Sequence, residues 1–181
     1  LANTHPFDRV RHGRRHAFAH NGELPGLETR ADTAHLLGEI IGDTDSELAS
    51  LLLLDRLDRS GADEPTLRFE TFHRFAADMR ELGSSNFLFF DGEFLFVHAD
   101  RRRFETNEGL TEPQEPGLAI RSFDEHHRGE PWIFRGASIK KVCGPLHLFA
   151  SVPLDPEGWE PLTRGTAMLL KDGKIVSRQQ N

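Results

Sequence analysis

Ala17-Phe18-Ala19-His20-Asn21-Gly22 is a short apolar run that closes on a side-chain amide and a residue without a Cβ. Gly permits backbone angles that other residues resist, so its N–H can point into a cleft instead of along a ladder. An amide and such an N–H aimed at one point make an oxyanion hole, which stabilises the charge of a tetrahedral intermediate. Asn-Gly is also the commonest two-residue hairpin turn, and the six residues alone leave both readings open.

Working outward, residues 15–20 alternate weakly and predict a short strand that delivers Asn21. Residues 23–35, broken by Pro25 and Gly26, predict a loop holding one helical turn. Gly42-Asp43-Thr44-Asp45-Ser46-Glu47 is a helix-start cluster, with small oxygen-bearing residues at the cap and acids in the first turn. Leu48, Leu51, Leu52 and Leu57 then recur at helical spacing to about Asp58. A second amphipathic helix is predicted over 66–82, with Phe69, Phe72, Phe75, Ala76, Met79 and Leu82 on one side. Asn86 to His98 reads as a hairpin around Asp91-Gly92 with nearly solid apolar arms, so Phe87, Phe89, Phe94 and Phe96 are core candidates. Strands are expected at 117–123 and 147–152, and a terminal hairpin around Asp172-Gly173. Strands, two adjacent helices, then many strands indicate an α+β fold with helices packed on a layered sheet.

At 181 residues the chain suits a single domain with a sizeable core. A net charge of −7 argues against a nucleic-acid partner, whose footprint is a clustered basic surface. The one strong basic run, Arg101-Arg102-Arg103, reads as a solvated loop. No stretch approaches the roughly 18 consecutive apolar residues of a membrane helix. The single cysteine, Cys143, excludes an internal disulfide framework and suits a reducing cytoplasm. Ten histidines raise the question of a metal, but no HExxH or paired-cysteine spacing occurs, and neither metal nor cofactor is expected. His12, His16 and His20 read as sheet or surface residues, and His126-His127 as part of an exposed loop.

Three segments gain meaning from their order: Asn3-Thr4-His5-Pro6-Phe7, Ala19-His20-Asn21-Gly22 and Gly42-Asp43-Thr44-Asp45-Ser46-Glu47. Together they resemble the class II glutamine amidotransferases, N-terminal-nucleophile amidohydrolases of the glutaminase type, and in particular their small stand-alone bacterial branch. Asn86 to Gly92, Leu148 to Leu154 and Gly158 to Leu162 extend the likeness over nearly the whole chain. The resemblance implies a four-layer αββα sandwich and a single type 2 amidotransferase domain over residues 1–181. It assigns the oxyanion hole to Asn21 and Gly22, the wall of the glutamine pocket to His5, and the hold on the substrate's α-ammonium group to Asp45. Asp43 and Glu47 remain cap and first-turn residues, and Asp45 also suits the positive end of its helix.

The chain departs from the family at the nucleophile. These enzymes attack with an N-terminal cysteine, whereas residue 1 is Leu and Cys143 lies before Gly144-Pro145 in a section the family does not use for chemistry. The resemblance therefore implies an N-terminally truncated domain, with the cysteine and an arginine-containing motif upstream of Leu1. It predicts no glutaminase activity and poor solubility for residues 1–181 alone, because sheet edges and an apolar face would lie open. The implied substrate is glutamine, or in an alternative a γ-glutamyl amide of a small thiol-derived metabolite. A non-catalytic module of the same fold, binding an amino acid or a partner, is the third reading. An oligomer or partner that supplies the missing segment is left open.

Overall fold

Arg11 and Arg14 face each other across His12 and Gly13, both at positive φ (52° and 74°), the two-residue turn whose twist suits a hairpin. This turn joins β1 (Phe7–Arg11) to β2 (Arg14–Glu23). The computed structural model describes residues 2–61, 63–123, 132–134, 137–139 and 144–180. After β2 come α1 (Asp45–Ser60), α2 (Pro65–Leu82), β3 (Ser84–Phe90) and β4 (Leu95–His98). The short pairs β5 (Glu105–Thr106) with β6 (Gly109–Leu110) and β8 (Trp132–Phe134) with β9 (Ala137–Ile139) flank β7 (Ala119–Phe123) in the chain. The rest is β10 (Leu146–Ala150), β11 (Glu160–Pro161), β12 (Thr166–Lys171) and β13 (Lys174–Gln180).

Among the described residues, β1-β2-β3-β4-β12-β13 form one antiparallel six-stranded sheet and β10-β7-β11 a three-stranded one. One face of the large sheet carries both helices. Phe18, Phe87, Phe89 and Phe96 from the strands meet Phe69, Phe72 and Phe75 of α2 and Leu48, Leu51, Leu52, Leu53 and Leu54 of α1, all buried. Ring centroids lie 5.4 Å apart for Phe75–Phe87 and Phe72–Phe96, in tilted geometry suited to aromatic pairs. Each buried Phe contributes about 1.5–3 kcal/mol. On the other face Val97, Ala99, Met168 and Leu170 pack on Leu118, Ile120 and Leu162, with Phe149 beside them. Farther along that face Val10 and Phe90 stay exposed (70% and 42%). The layers in sequence are thus helix pair, large sheet and small sheet. The predicted aromatic core is found, including Phe94.

Several expectations are corrected. The strand assigned to 15–20 runs on to Glu23, so Asn21 and Gly22 lie inside the ladder, opposite Asn86 and Ser85. The hairpin turn that Asn21-Gly22 resembled belongs to His12-Gly13 instead. Two short 3-10 turns, Leu27–Thr29 and Ala34–Glu39, follow where one helical turn was expected. Pairing continues because β3 starts earlier than predicted, so that Ser85 and Ser84 are partners for Gly22 and Glu23. Arg102 is not simply solvated, since its guanidinium stacks 3.7 Å from the Phe104 ring. Cys143 and His126-His127 lie outside the described residues. No described helix is long and apolar enough to cross a membrane.

Candidate functional site

The start of α1 gathers the motif segments. Thr44 caps the helix by accepting from Glu47 N (3.2 Å), as a Thr N-cap should. Asp45 follows in the first turn, where a carboxylate also suits the helix dipole. Its reach goes further: Oδ2 accepts from Leu24 N at 2.7 Å, which ties the residues just past β2 to the helix. Asn3 meets Asp43 twice, donating from Nδ2 to Oδ1 (2.6 Å) and accepting from its backbone N–H (3.2 Å). The N-terminal segment is thereby held against the helix start.

His20 ties β2 to the same point. It is buried on the helix face of the strand, and Nε2 donates to Ser84 O at 3.1 Å. That bond fixes the tautomer of the neutral ring and leaves Nδ1 to accept from Ser46 Oγ (2.9 Å). The single Ser46 hydroxyl proton also has Asp45 Oδ1 within 3.1 Å, so histidine and carboxylate share one donor. Burial lowers the His20 pKa, with the nearby Ser84 carbonyl and Asp45 charge opposing it. His5 stays at the surface with its ring edge-on to Phe7 (centroids 4.8 Å apart). Desolvation lowers its pKa too, and the charge of Asp45 opposes the shift. Asp45 therefore lies within electrostatic reach of both histidines.

Gly22 sits next to this cluster at φ 156°. A Cβ there would be driven into the Ser84 carbonyl and come within 2.7 Å of His20 Nε2, so the close pairing of β2 with β3 requires glycine. The Asn21 side chain alternates to the other face and is exposed, while its carbonyl accepts from Asn86 Nδ2 at 3.0 Å. A cleft of about 600 Å³ opens beside Asp45, with Glu23, Pro25, Leu37, Ile40 and Asp43 on its walls.

All four sequence-predicted site residues, His5, Asn21, Gly22 and Asp45, thus fall at one end of β2 and the start of α1. Glu47 does more than expected of a first-turn acid. Fully buried, it accepts from Gly42 N (2.8 Å) and Ile41 N (3.1 Å) and pairs with Arg9. Burial alone would raise its pKa, but these donors outweigh that and hold it below the usual carboxylate value. Sequence reasoning also missed Ser84 and Ser85, which fall between the predicted helix and the predicted hairpin, and Asn86, taken only as the start of that hairpin. Their polarity ahead of a solid apolar run was the available signal. Among the described residues no group of three or more His, Cys, Asp or Glu side chains is placed to hold a metal ion.

The family model for class-II glutamine amidotransferases matches residues 1–181. The chain is 32% identical over 175 residues to an uncharacterised protein of Methanocaldococcus jannaschii, covering 96% of this chain and 46% of that protein. It is 26% identical over 181 residues to a Haemophilus influenzae protein provisionally named glutamine amidotransferase, covering 98% and 57%. The chain therefore spans about half the length of the curated relatives it matches. A crystal structure of a predicted glutamine amidotransferase from Pseudomonas aeruginosa aligns with a TM-score of 0.74 at 26% identity, over 98% of this chain and 66% of that one. With the motif segments joined at one point and the family model matched from end to end, this chain belongs to the class II glutamine amidotransferase family.

Proposed function

We propose that residues 1–181 form the glutamine-recognising part of one amidotransferase domain that hydrolyses glutamine to glutamate and ammonia. The supporting observation is the junction of the three motif segments: Asn3 bonded to Asp43, His20 to Ser46, and Leu24 N to Asp45. In this reading Asp45 takes the substrate's α-ammonium group in a charge-assisted hydrogen bond, and His5 forms the adjacent wall. Asn21 Nδ2 and Gly22 N–H receive the negative charge that develops on the amide oxygen. A cysteine thiolate from outside residues 1–181 attacks the amide carbon, ammonia leaves with a proton, and water then releases glutamate from the thioester. The two cores share one sheet, which supports a single domain. The helix–sheet–sheet succession supports three layers of a four-layer αββα sandwich.

The test is glutamate release by the gene product read from its own initiation codon. Asp45→Asn keeps the shape and the bond to Leu24 N but removes the charge. It is expected to raise the KM for glutamine at least about tenfold with kcat little changed, the pattern of lost ground-state binding. An unchanged KM would remove Asp45 from substrate recognition.

A further inference from the structure

Polar side chains are rarely buried in a sheet without partners, because desolvating them costs free energy that only hydrogen bonds return. Yet Ser85, Asn86, His98 and Asp100 are all at most 3% exposed, at the start of β3, which pairs with the Asn21-Gly22 end of β2, and at the end of β4 on its other side. Asn86 is the hub. Its Nδ2 donates to Asn21 O (3.0 Å) and Arg101 O (2.8 Å), and its Oδ1 accepts from Asp100 N (2.8 Å). The Asp100 carboxylate in turn accepts from Ser85 N (3.1 Å) and Arg164 Nε (2.9 Å). Gly117 leaves room for this arrangement, since a Cβ there would strike Asn86 Oδ1 and lie 2.6 Å from Asp100 O. The amide is thus locked in place on both its donor and its acceptor side.

The carbonyl that Asn86 grips has a particular position. Asn21 C=O and Gly22 N–H belong to one planar peptide unit, trans in this structure, so they point in opposite directions and turn together. Holding the oxygen fixes the direction of the N–H. We infer that Asn86 is a positioning residue that aims the Gly22 N–H, an assignment that rests on the oxyanion reading proposed above. Its side chain does not touch the substrate. It sets the angle at which one of the two donors meets the developing oxyanion. Substrate capture through Asp45 and His5 does not depend on it.

The gene product read from its own initiation codon supplies the test, with glutamate release measured against glutamine concentration. Asn86→Asp keeps the shape and replaces the donor by an acceptor, and Asn86→Ser keeps polarity but cannot reach Asn21 O. In a variant that retains the wild-type circular dichroism spectrum, kcat is expected to fall about 10- to 100-fold with KM within about threefold. A kcat within about threefold of wild type in either folded variant overturns the inference, as does a change confined to KM. If neither variant folds, Asn86 is a structural residue and the inference also falls. Asn21→Ala in the same assay reports on the underlying reading. If Asn21→Ala loses turnover and the Asn86 variants do not, the positioning role alone fails. If Asn21→Ala keeps full turnover, the oxyanion reading itself fails.

Discussion

Strand β2 carries a glycine beside each end, and the surroundings of the two differ. Gly13, in the turn that leads into the strand, has no heavy atom within 4 Å of where a Cβ would stand. Gly22, near the far end, has the Ser84 carbonyl and the His20 ring in that space. The turn end is exposed and lined by Arg14 and Arg15, whereas the far end is tied by His20, Ser84, Asn86 and Asp45 into neighbouring elements. A Gly required by backbone angle alone makes a turn. A Gly required by the close approach of another backbone fixes how tightly two segments pack. The pair Asn21-Gly22 is of the second kind, although its composition suggested the first.

This contrast is open to direct attack. Gly22→Ala carries the largest expected effect, because the Cβ must push β2 away from Ser84. A loss of about 3 kcal/mol or more is expected in urea unfolding, at the upper end of overpacking costs. A stability equal to wild type would show that the β2–β3 approach is not tight. The same end should carry the strongest pH response. His98 Nδ1 donates to the carbonyl of Ser85, the residue opposite Gly22, and burial lowers the His98 pKa to about 4. An unfolded chain protonates this ring below about pH 6.5, while the folded chain resists until about 4. Its contribution is therefore complete above pH 6.5 and lost as the pH falls toward 4, up to about 3 kcal/mol in all. His98→Gln is expected to flatten the stability–pH curve in that window; an unchanged slope would assign the acid sensitivity elsewhere.

At the turn end the effects shrink. Gly13→Ala places a Cβ at φ 74° in open space, so only the left-handed strain remains, about 1 kcal/mol in the same unfolding assay. A cost matching Gly22→Ala would erase the contrast. Asp8→Asn breaks the exposed pair with Arg15, whose Nε lies 2.9 Å from Oδ2. No change in Tm beyond experimental error is expected, as for most surface ion pairs.

Much of the fold was legible because periodicity and capping report local physics. Leu48, Leu51 and Leu52 and the phenylalanines of 69–75 gave both helices, and Thr44 gave a helix start to within a residue. Asp172-Gly173 and Asp91-Gly92 gave their turns. The extent of β2 was not legible, since Asn21 and Gly22 carry turn propensity and only Asn86 and Ser85, more than 60 positions later, keep them in the ladder. For the site, motif order pointed to His5, Asn21, Gly22 and Asp45. The supports behind them were hidden for the same reason. Asn86, Asp100 and Glu47 act through buried contacts across long sequence separations, and nothing in their immediate neighbours records those contacts.

In the proposed mechanism the far end of β2 presents the donors for a glutamine-derived oxyanion. Steady-state glutamate release by the gene product read from its own initiation codon, compared with its Asn21→Ala variant, tests it most directly. The Asn21 side chain is exposed and its carbonyl stays available to Asn86, so the truncation leaves the fold in place. Loss of the Asn21 amide is expected to lower kcat about 100- to 1,000-fold with KM for glutamine within about threefold. A kcat within about threefold of wild type would contradict it.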